Sequence, residues 1–366
     1  MRLDRSASDH SPLRLRLPLP EVLPLRRADL AAAVVAATAT ATPNGGLAAA
    51  FAEPSGRDML RARLNGHYPS ESARHHDTRH HESPSWAPGP PTGPALAEQI
   101  EHDHYFSIER TDGDPARGFT ASLILAYLAA YENCLSTGVT LMGPEHWDPL
   151  SGGLSGLFGA EHGGLPRRPA AGYRDGYDPA ARWLVGHQLF FVLIQGSVIG
   201  LTSFGSAADG WDAADEPTRA MTDGLELAAS FLRGSAAAMR FASDFAPEDY
   251  DRTVRPHMAP PRVRAGFSGF QTRDHAYLVR LLSALKPALT ALNGRSGAHK
   301  ELVDAVVAAY SAHEFVCARF RGDVLPSLRM AAASRGRTGR AGVEVVRELM
   351  RKRLALVDPS GGGAEG

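Results

Sequence analysis

The chain has 366 residues, of which 43% are hydrophobic and 22% are charged, and its formal net charge is −1. This composition is that of an ordinary soluble protein, and a near-zero charge gives no attraction to nucleic acid or to an acidic membrane surface. Two cysteines, Cys134 and Cys317, are too few for a disulfide framework. The N-terminus lacks the apolar run of a signal peptide. We therefore expect a cytoplasmic protein that binds neither nucleic acid nor membrane.

Residues 1–95 differ in character from the rest of the chain. The stretch LPLPEVLPLRR is broken by prolines, and GHYPSESARHHDTRHHESPSWAPGPPTGP shows no apolar period. The sequence therefore predicts an irregular, partly disordered N-terminal extension. Four histidines in the second stretch could hold a metal, although a solvated flexible segment is the simpler interpretation: His75, His76, His80 and His81.

From residue 96 to residue 357 the sequence predicts one helical domain. Apolar residues recur every three or four positions in ARGFTASLILAYLAAYENCLSTG, and DPAARWLVGHQLFFVLIQGSVIGLTSF is apolar on nearly all sides, as a buried helix is. Two later helices are joined by the turn GRSG, and a last helix precedes a disordered tail over residues 358–366. No stretch of any length alternates as a strand does, so the predicted fold is an all-α bundle.

A polar pair, His187-Gln188, interrupts the buried helix. Buried polar side chains need hydrogen-bond partners. Either His187 bonds a backbone carbonyl, or it faces an active-site cavity and exchanges a proton near neutral pH.

The segment RAGFSGFQTRDH, residues 264–275, leads directly into a helix. Backbone N–H groups at such a helix start suit an anion, for example an amino-acid carboxylate. A plain connecting loop is the alternative.

Two histidines lie at similar heights on the helical hairpin that follows. His275 precedes the turn and His313 follows it, and at about 1.5 Å per residue both lie roughly 22–27 Å from the turn. An iron porphyrin, with one imidazole on each face, fits such a pair. Cys317 lies four residues after His313, on the same helix face, where its thiolate could add to a vinyl group of the porphyrin. The alternatives are a core histidine with an inert cysteine, or a poorly supplied zinc site.

Three segments, in this order, resemble the haem-dependent tryptophan 2,3-dioxygenase superfamily: GHQLFFVLIQGSVIGL, DFAPEDYD with GFSGFQT, and SRGRTGRAGVEVVREL. The resemblance spans roughly residues 115–357 and implies a bundle of the tryptophan/indoleamine dioxygenase type. Asp323 or Val324 stands where that family has its proximal histidine, and Ala276 stands where it has a substrate-binding arginine.

These departures fit a narrower group within the haem-dependent aromatic oxygenases. The pattern H-x(37)-H-x-x-x-C, formed by His275, His313 and Cys317, is similar to that of the 3-methyl-L-tyrosine hydroxylases (peroxygenases) of saframycin-type antibiotic biosynthesis. The resemblance implies a haem b-derived cofactor, attached by a single thioether to Cys317. His313 would be the permanent axial ligand, and His275 would be the ligand that leaves.

The resemblance further implies a monooxygenase or peroxygenase that hydroxylates the ring of 3-methyl-L-tyrosine ortho to its hydroxyl, giving a catechol. The oxidant would be hydrogen peroxide, or dioxygen with a reductant, and the family is compatible with a homo-oligomer. His187 would move a proton, Ser268 and Thr338 would hold the amino-acid end of the substrate, and Arg319 and Arg321 would pair with haem propionates or simply lie in solvent.

Two other functional classes remain open at this point. The first is a non-enzymatic bis-histidine haem protein, acting as an electron carrier or a sensor. The second is a helical scaffold without haem. The histidine in the buried helix favours the enzyme, because an electron carrier needs no proton-transfer group beside its haem.

Overall fold

The structure, a computed structural model, describes residues 13–23, 30, 32–33, 46–66, 85–90, 92–159, 165–166, 172, 177–259, 263, 272–322 and 341–359. In chain order, the elements are β1 (Leu15–Pro18), α1 (Leu47–Ala52), α2 (Pro54–Gly66), α3 (Gly93–Tyr105), β2 (Ile108–Thr111), α4 (Pro115–Thr137), α5 (Pro144–Phe158), α6 (Pro179–Ala208), α7 (Arg219–Ala242), α8 (Arg273–Ala291), α9 (Gly297–Arg319) and α10 (Gly342–Val357). Short helical turns also cover residues 20–22 and 247–257. The all-α prediction is confirmed, since strands are confined to eight of the described residues.

Helix α6 is the central element of the bundle. Its start is capped by Asp178, whose carboxylate accepts hydrogen bonds from the backbone N–H groups of Ala180 and Ala181. The helix is apolar and long enough to cross a membrane, but 83% of its most apolar window is buried inside the protein. It is therefore better described as the core helix of a folded domain.

Helix α7 packs along α6 at very short range. A Cβ atom on Gly200 would lie 2.5 Å from the backbone nitrogen of Ala228, and one on Gly224 would lie 2.7 Å from that of Phe204. Real Cβ atoms do not approach backbone this closely, so both glycines are required where the two helices meet. The close contact fixes one wall of the bundle.

The last three helices are arranged around this pair. Helix α8 packs on α6, helix α9 packs on α7, and α10 packs on both α8 and α9. Helices α8 and α9 form the predicted hairpin, joined by a turn in which Gly294 has a φ of +72°. Ser296 caps α9 by accepting a hydrogen bond from the backbone N–H of His299.

The N-terminal segment contains ordered elements that the sequence prediction did not include. Strand β1 pairs in parallel with β2, with Leu15 opposite Ile108, and Leu15 and Leu17 are completely buried. Helices α1 and α2 also contribute buried residues to the core. The description of residues 1–95 as irregular is therefore wrong for these stretches, because β1 packs on β2 and α4, α1 packs on α2, and α2 packs on α4. The predicted boundary near residue 95 stays a prediction, and the four histidines lie outside the described residues.

Candidate functional site

A cavity lies between helices α8 and α9 and is closed by α6, α7 and α10. It contains about 550 Å³ of space not filled by protein atoms, part of which is open solvent. Its lining is mostly apolar and consists of Phe190, Ile194, Leu232, Ser235, Met239, His275, Leu278, Val279, Leu282, Val306, Ala309, Tyr310, His313 and Arg353. The lining suits an apolar ligand with a few polar groups.

His275 and His313 both line this cavity, one from α8 and the other from α9. The spacing of the lining residues shows why each helix presents its histidine, since positions i, i+3, i+4 and i+7 share one helix face. Burial, followed by the nearby charges of His275 and His187, lowers the pKa of His313 to about 3. His313 is therefore a neutral imidazole near pH 7, the form that binds a metal ion.

Cys317 lies one helical turn beyond His313 and is partly buried against the core. Burial, followed by the nearby charge of Glu314, raises the pKa of its thiol to about 12. The cysteine is therefore protonated at neutral pH and is a weak nucleophile in this state. Any covalent attachment through its sulfur needs a reaction partner that is held directly beside it.

His187 is held between two aromatic rings. Its imidazole stacks on Phe106 with ring centres 4.8 Å apart, and its centre lies 4.1 Å from that of Trp183. Its Nδ1 atom lies 2.8 Å from the backbone carbonyl oxygen of Trp183. A carbonyl only accepts hydrogen bonds, so in the neutral ring Nδ1 carries the proton and Nε2 carries the lone pair. Burial lowers the pKa of His187 to about 4, which keeps the ring neutral.

Of the two sequence interpretations of His187, the structure shows the hydrogen bond to a backbone carbonyl. The imidazole is not among the described residues that line the cavity, although it is close enough for its charge to act on His313. The two interpretations do not exclude one another, because the carbonyl occupies only Nδ1.

The two arginines predicted to meet propionates are engaged elsewhere. Arg319 donates hydrogen bonds to the carbonyl oxygens of Ser243 at 3.3 Å and Phe245 at 2.7 Å, which ties the end of α9 to the segment after α7. Arg321 has a φ of +63°, a largely exposed side chain and a 4.0 Å contact with Asp251. Ser268 and Thr338, the predicted substrate contacts, lie outside the described residues.

Two cavity residues were not found from the sequence. Tyr310 lies on the same face of α9 as His313, and its hydroxyl accepts a hydrogen bond from Arg353 of α10. Tyr310 lies three residues before His313, so the helical period places both on one face of α9, and Arg353 continues the three-to-four-residue spacing of Val346, Met350 and Val357 along α10.

A buried charge network fixes the first turn of α8, directly beside His275. The guanidinium of Arg110 donates to both oxygens of Asp274 at 3.0 and 2.7 Å, and to both oxygens of Asp103 at 2.7 and 2.8 Å. Gln195 of α6 donates to Asp274 at 2.9 Å and to the backbone carbonyl of Pro18 at 2.8 Å. Strands β1 and β2 and helices α3 and α6 are thus all connected to the residue that precedes His275.

The turn after β1 adds a further contact to the same helix. Glu21 lies 3.3 Å from the guanidinium of Arg273 and 3.9 Å from that of Arg280, and the Glu21 side chain is only 10% exposed. The ordered N-terminal segment is therefore part of the support of the site. In the described part of the chain, no three His, Cys, Asp or Glu side chains are grouped to hold a metal ion.

Comparison with known proteins identifies relatives of the whole fold. A family model described as SfmD 3-methyl-L-tyrosine peroxygenase matches residues 16–301. A 3-methyl-L-tyrosine peroxygenase of Streptomyces lavendulae is 30% identical over 268 residues, which is 70% of each chain. The crystal structure of reduced SfmD, soaked with sodium hydrosulfite, is similar with a TM-score of 0.57 and 24% identity, covering 82% of this chain and 96% of that one. The family match includes His187 and His275, whereas His313 and Cys317 follow its last residue.

Replacing Arg110 tests the buried network. Arg110→Met leaves the carboxylates of Asp103 and Asp274 without their cation, so we expect the free energy of unfolding to fall by about 3–5 kcal/mol. Urea denaturation at pH 7 measures the change. Arg233→Met is the matched control, because the ion pair of Arg233 with Glu301, at 2.9 Å, is partly exposed, and it should cost less than about 1 kcal/mol. Equal effects of the two substitutions would contradict the proposed support.

The pKa of His187 predicts a pH dependence of stability. The unfolded chain takes up a proton near pH 6.5, whereas the folded ring does so only near pH 4. The contribution of His187 is therefore complete above pH 6.5, and it is lost at about 1.4 kcal/mol per pH unit as the pH falls toward 4. His187→Phe keeps a ring between Phe106 and Trp183 but removes this titration. We expect its unfolding free energy to fall less steeply than that of the wild type between pH 6 and pH 5; parallel curves would show that His187 titrates normally.

Proposed function

The chain belongs to the SfmD 3-methyl-L-tyrosine peroxygenase family and is an oxidoreductase, and on that premise we propose that it hydroxylates 3-methyl-L-tyrosine. One oxygen atom of hydrogen peroxide enters the phenol ring ortho to its hydroxyl, and the other leaves as water. The displaced ring hydrogen is lost as a proton, and the product is a catechol. The observation that carries the proposal is the pair His275 and His313, which face one apolar cavity from opposite helices.

We propose that the cofactor of this cavity is a haem. The residues present fit that group, because the walls are mostly apolar and two imidazoles lie on facing helices. His313 would be the permanent iron ligand and His275 the second ligand, which leaves when substrate binds. When bound, the haem would supply the activation of peroxide and the transfer of its oxygen atom.

Cys317 is the proposed point of covalent attachment. It follows His313 by one turn on the same helix face, so a porphyrin bound by His313 would extend toward it. The high pKa of its thiol means that the sulfur does not react freely with solutes. A single thioether at Cys317 would fix the rotation of the macrocycle about the iron axis.

His187 is the proposed hydrogen-bond partner of the substrate or the oxidant. Its Nδ1 proton is given to the carbonyl of Trp183, so Nε2 is the atom that can accept a proton from a phenol or from peroxide. The low pKa of His187 makes it a weak base, which suits transient proton transfer rather than permanent protonation. Ser268 and Thr338 are proposed, by resemblance, to hold the amino-acid end.

The first test is an optical titration of the purified protein with 3-methyl-L-tyrosine. We expect a low-spin haem spectrum that becomes high-spin, because substrate binding displaces His275 from the iron. L-leucine, which has no ring, is the control ligand and should leave the spectrum unchanged. A coloured protein that ignores 3-methyl-L-tyrosine would instead be an electron carrier or sensor, and a colourless protein would contradict the haem.

The second test concerns the thioether. Wild-type protein should keep its colour through acid–acetone extraction, whereas Cys317→Ala should release all of its haem into the solvent. The matched control is Cys134→Ala, which removes the only other cysteine, buried in α4, and should behave as the wild type does. Colour that stays with Cys317→Ala after extraction would exclude attachment through this sulfur.

A further inference from the structure

The cavity contains a cationic group that the proposed roles leave without a ligand. Arg353 reaches the lining from α10, in a wall that is otherwise mostly apolar. Its Nε atom is buried and has no hydrogen-bond partner among the described residues. A buried donor without an acceptor is unfavourable, so the position is one where an anion from outside the protein would be stabilised.

The neighbouring cations of α10 differ from Arg353. Arg347 pairs with Glu314 at 2.6 Å, Lys352 pairs with Glu348 one turn earlier, and Arg351 is exposed to solvent. Within the described part of the chain, no carboxylate forms an ion pair with Arg353. Arg353 donates a hydrogen bond to the hydroxyl of Tyr310, a neutral group that orients the guanidinium without neutralising its charge.

We propose that Arg353, oriented by Tyr310, binds a carboxylate at the edge of the cavity. A guanidinium presents paired N–H donors that match the two oxygens of a carboxylate, and such bonds are stronger where water is excluded. This inference rests on the proposed function, which brings two kinds of carboxylate to the cavity. One is the α-carboxylate of the amino-acid substrate, and the other is a haem propionate.

The structure favours Arg353 over the arginines expected from the sequence. Arg319 already donates to two backbone carbonyls, and Arg321 lies beside Asp251 on an exposed turn. Only Arg353 of these three lines the cavity with both histidines. The carboxylate contact therefore comes from the last helix rather than from the end of α9.

The experiment compares Arg353→Gln with Arg351→Gln, an exposed arginine of the same helix. Holoprotein is titrated optically with 3-methyl-L-tyrosine and with 3-methyltyramine, which has the same ring but no carboxylate. If Arg353 binds the substrate carboxylate, Arg353→Gln should lower the affinity for 3-methyl-L-tyrosine about 10- to 100-fold and leave the affinity for 3-methyltyramine unchanged. Tyr310→Phe should produce a smaller loss of the same kind.

A different result is expected if the carboxylate that Arg353 binds is a haem propionate. If Arg353 binds a propionate, the two ligands should be affected equally, and Arg353→Gln combined with Cys317→Ala should transfer haem to apomyoglobin faster than Cys317→Ala alone. Arg353→Lys, which keeps the charge, should recover part of either effect if the variant protein folds, as circular dichroism would show. If the Arg353 variants match Arg351→Gln in both ligand affinities and in the rate of haem transfer, the proposal is overturned.

The proposed function can fail separately. Wild-type protein purified without haem would contradict that function. It would also exclude a haem propionate as the carboxylate that Arg353 binds. Calorimetric titration of that protein with 3-methyl-L-tyrosine and 3-methyltyramine would then decide the carboxylate contact alone. Equal binding of the two compounds would refute it, and a preference for the amino acid that is lost in Arg353→Gln would support it.

Discussion

The interaction on which the site depends is the buried contact of one guanidinium with two carboxylates. Arg110 is 13% exposed, Asp103 is 10% exposed, and Asp274 is completely buried. Charges taken out of water are costly unless good geometry and further hydrogen bonds compensate for them. Here each carboxylate meets the guanidinium through two bonds, and Gln195 adds another to Asp274. The network persists because every partner lies on an element that the core already holds.

A second buried network holds the opposite part of α6. Arg182 is fully buried, lies 3.6 Å from the carboxylate of Asp244, and donates to Asn133 and to the carbonyl of Gly138. Asp244 in turn accepts from the backbone of Thr140 and Leu141. Helix α6, which contributes Phe190 and Ile194 to the cavity lining, is thus held by buried hydrogen bonds at Arg182 and at Gln195. Burial keeps both histidines neutral, His187 between Phe106 and Trp183 and His313 in the cavity wall.

The sequence predicted the helices and the level of the two histidines, because both follow from local period and rise. His275 and His313 were expected at similar heights, and the structure brings them to one cavity. The charge network could not be predicted, since Arg110 and Asp274 are 164 residues apart and no local pattern pairs them. Strand β1 was missed because four residues, LRLP, are too few to show alternation. Arg353 was missed because it is a charged residue within an apolar stripe, although it continues the spacing of Val346, Met350 and Val357 on one face of α10.

The buried network also limits how the proposed ligand exchange takes place. Asp274 precedes His275 directly and is bonded to Arg110 and Gln195, while Arg273 contacts Glu21. Moving the first turn of α8 would separate these charges inside the protein, which is far more costly than rotating one side chain. We therefore expect that the proposed exchange would take place by rotation of the His275 imidazole, with its backbone in place. A histidine released in this way would stay beside the cavity, because its helix is held in place by Asp274 and Arg273.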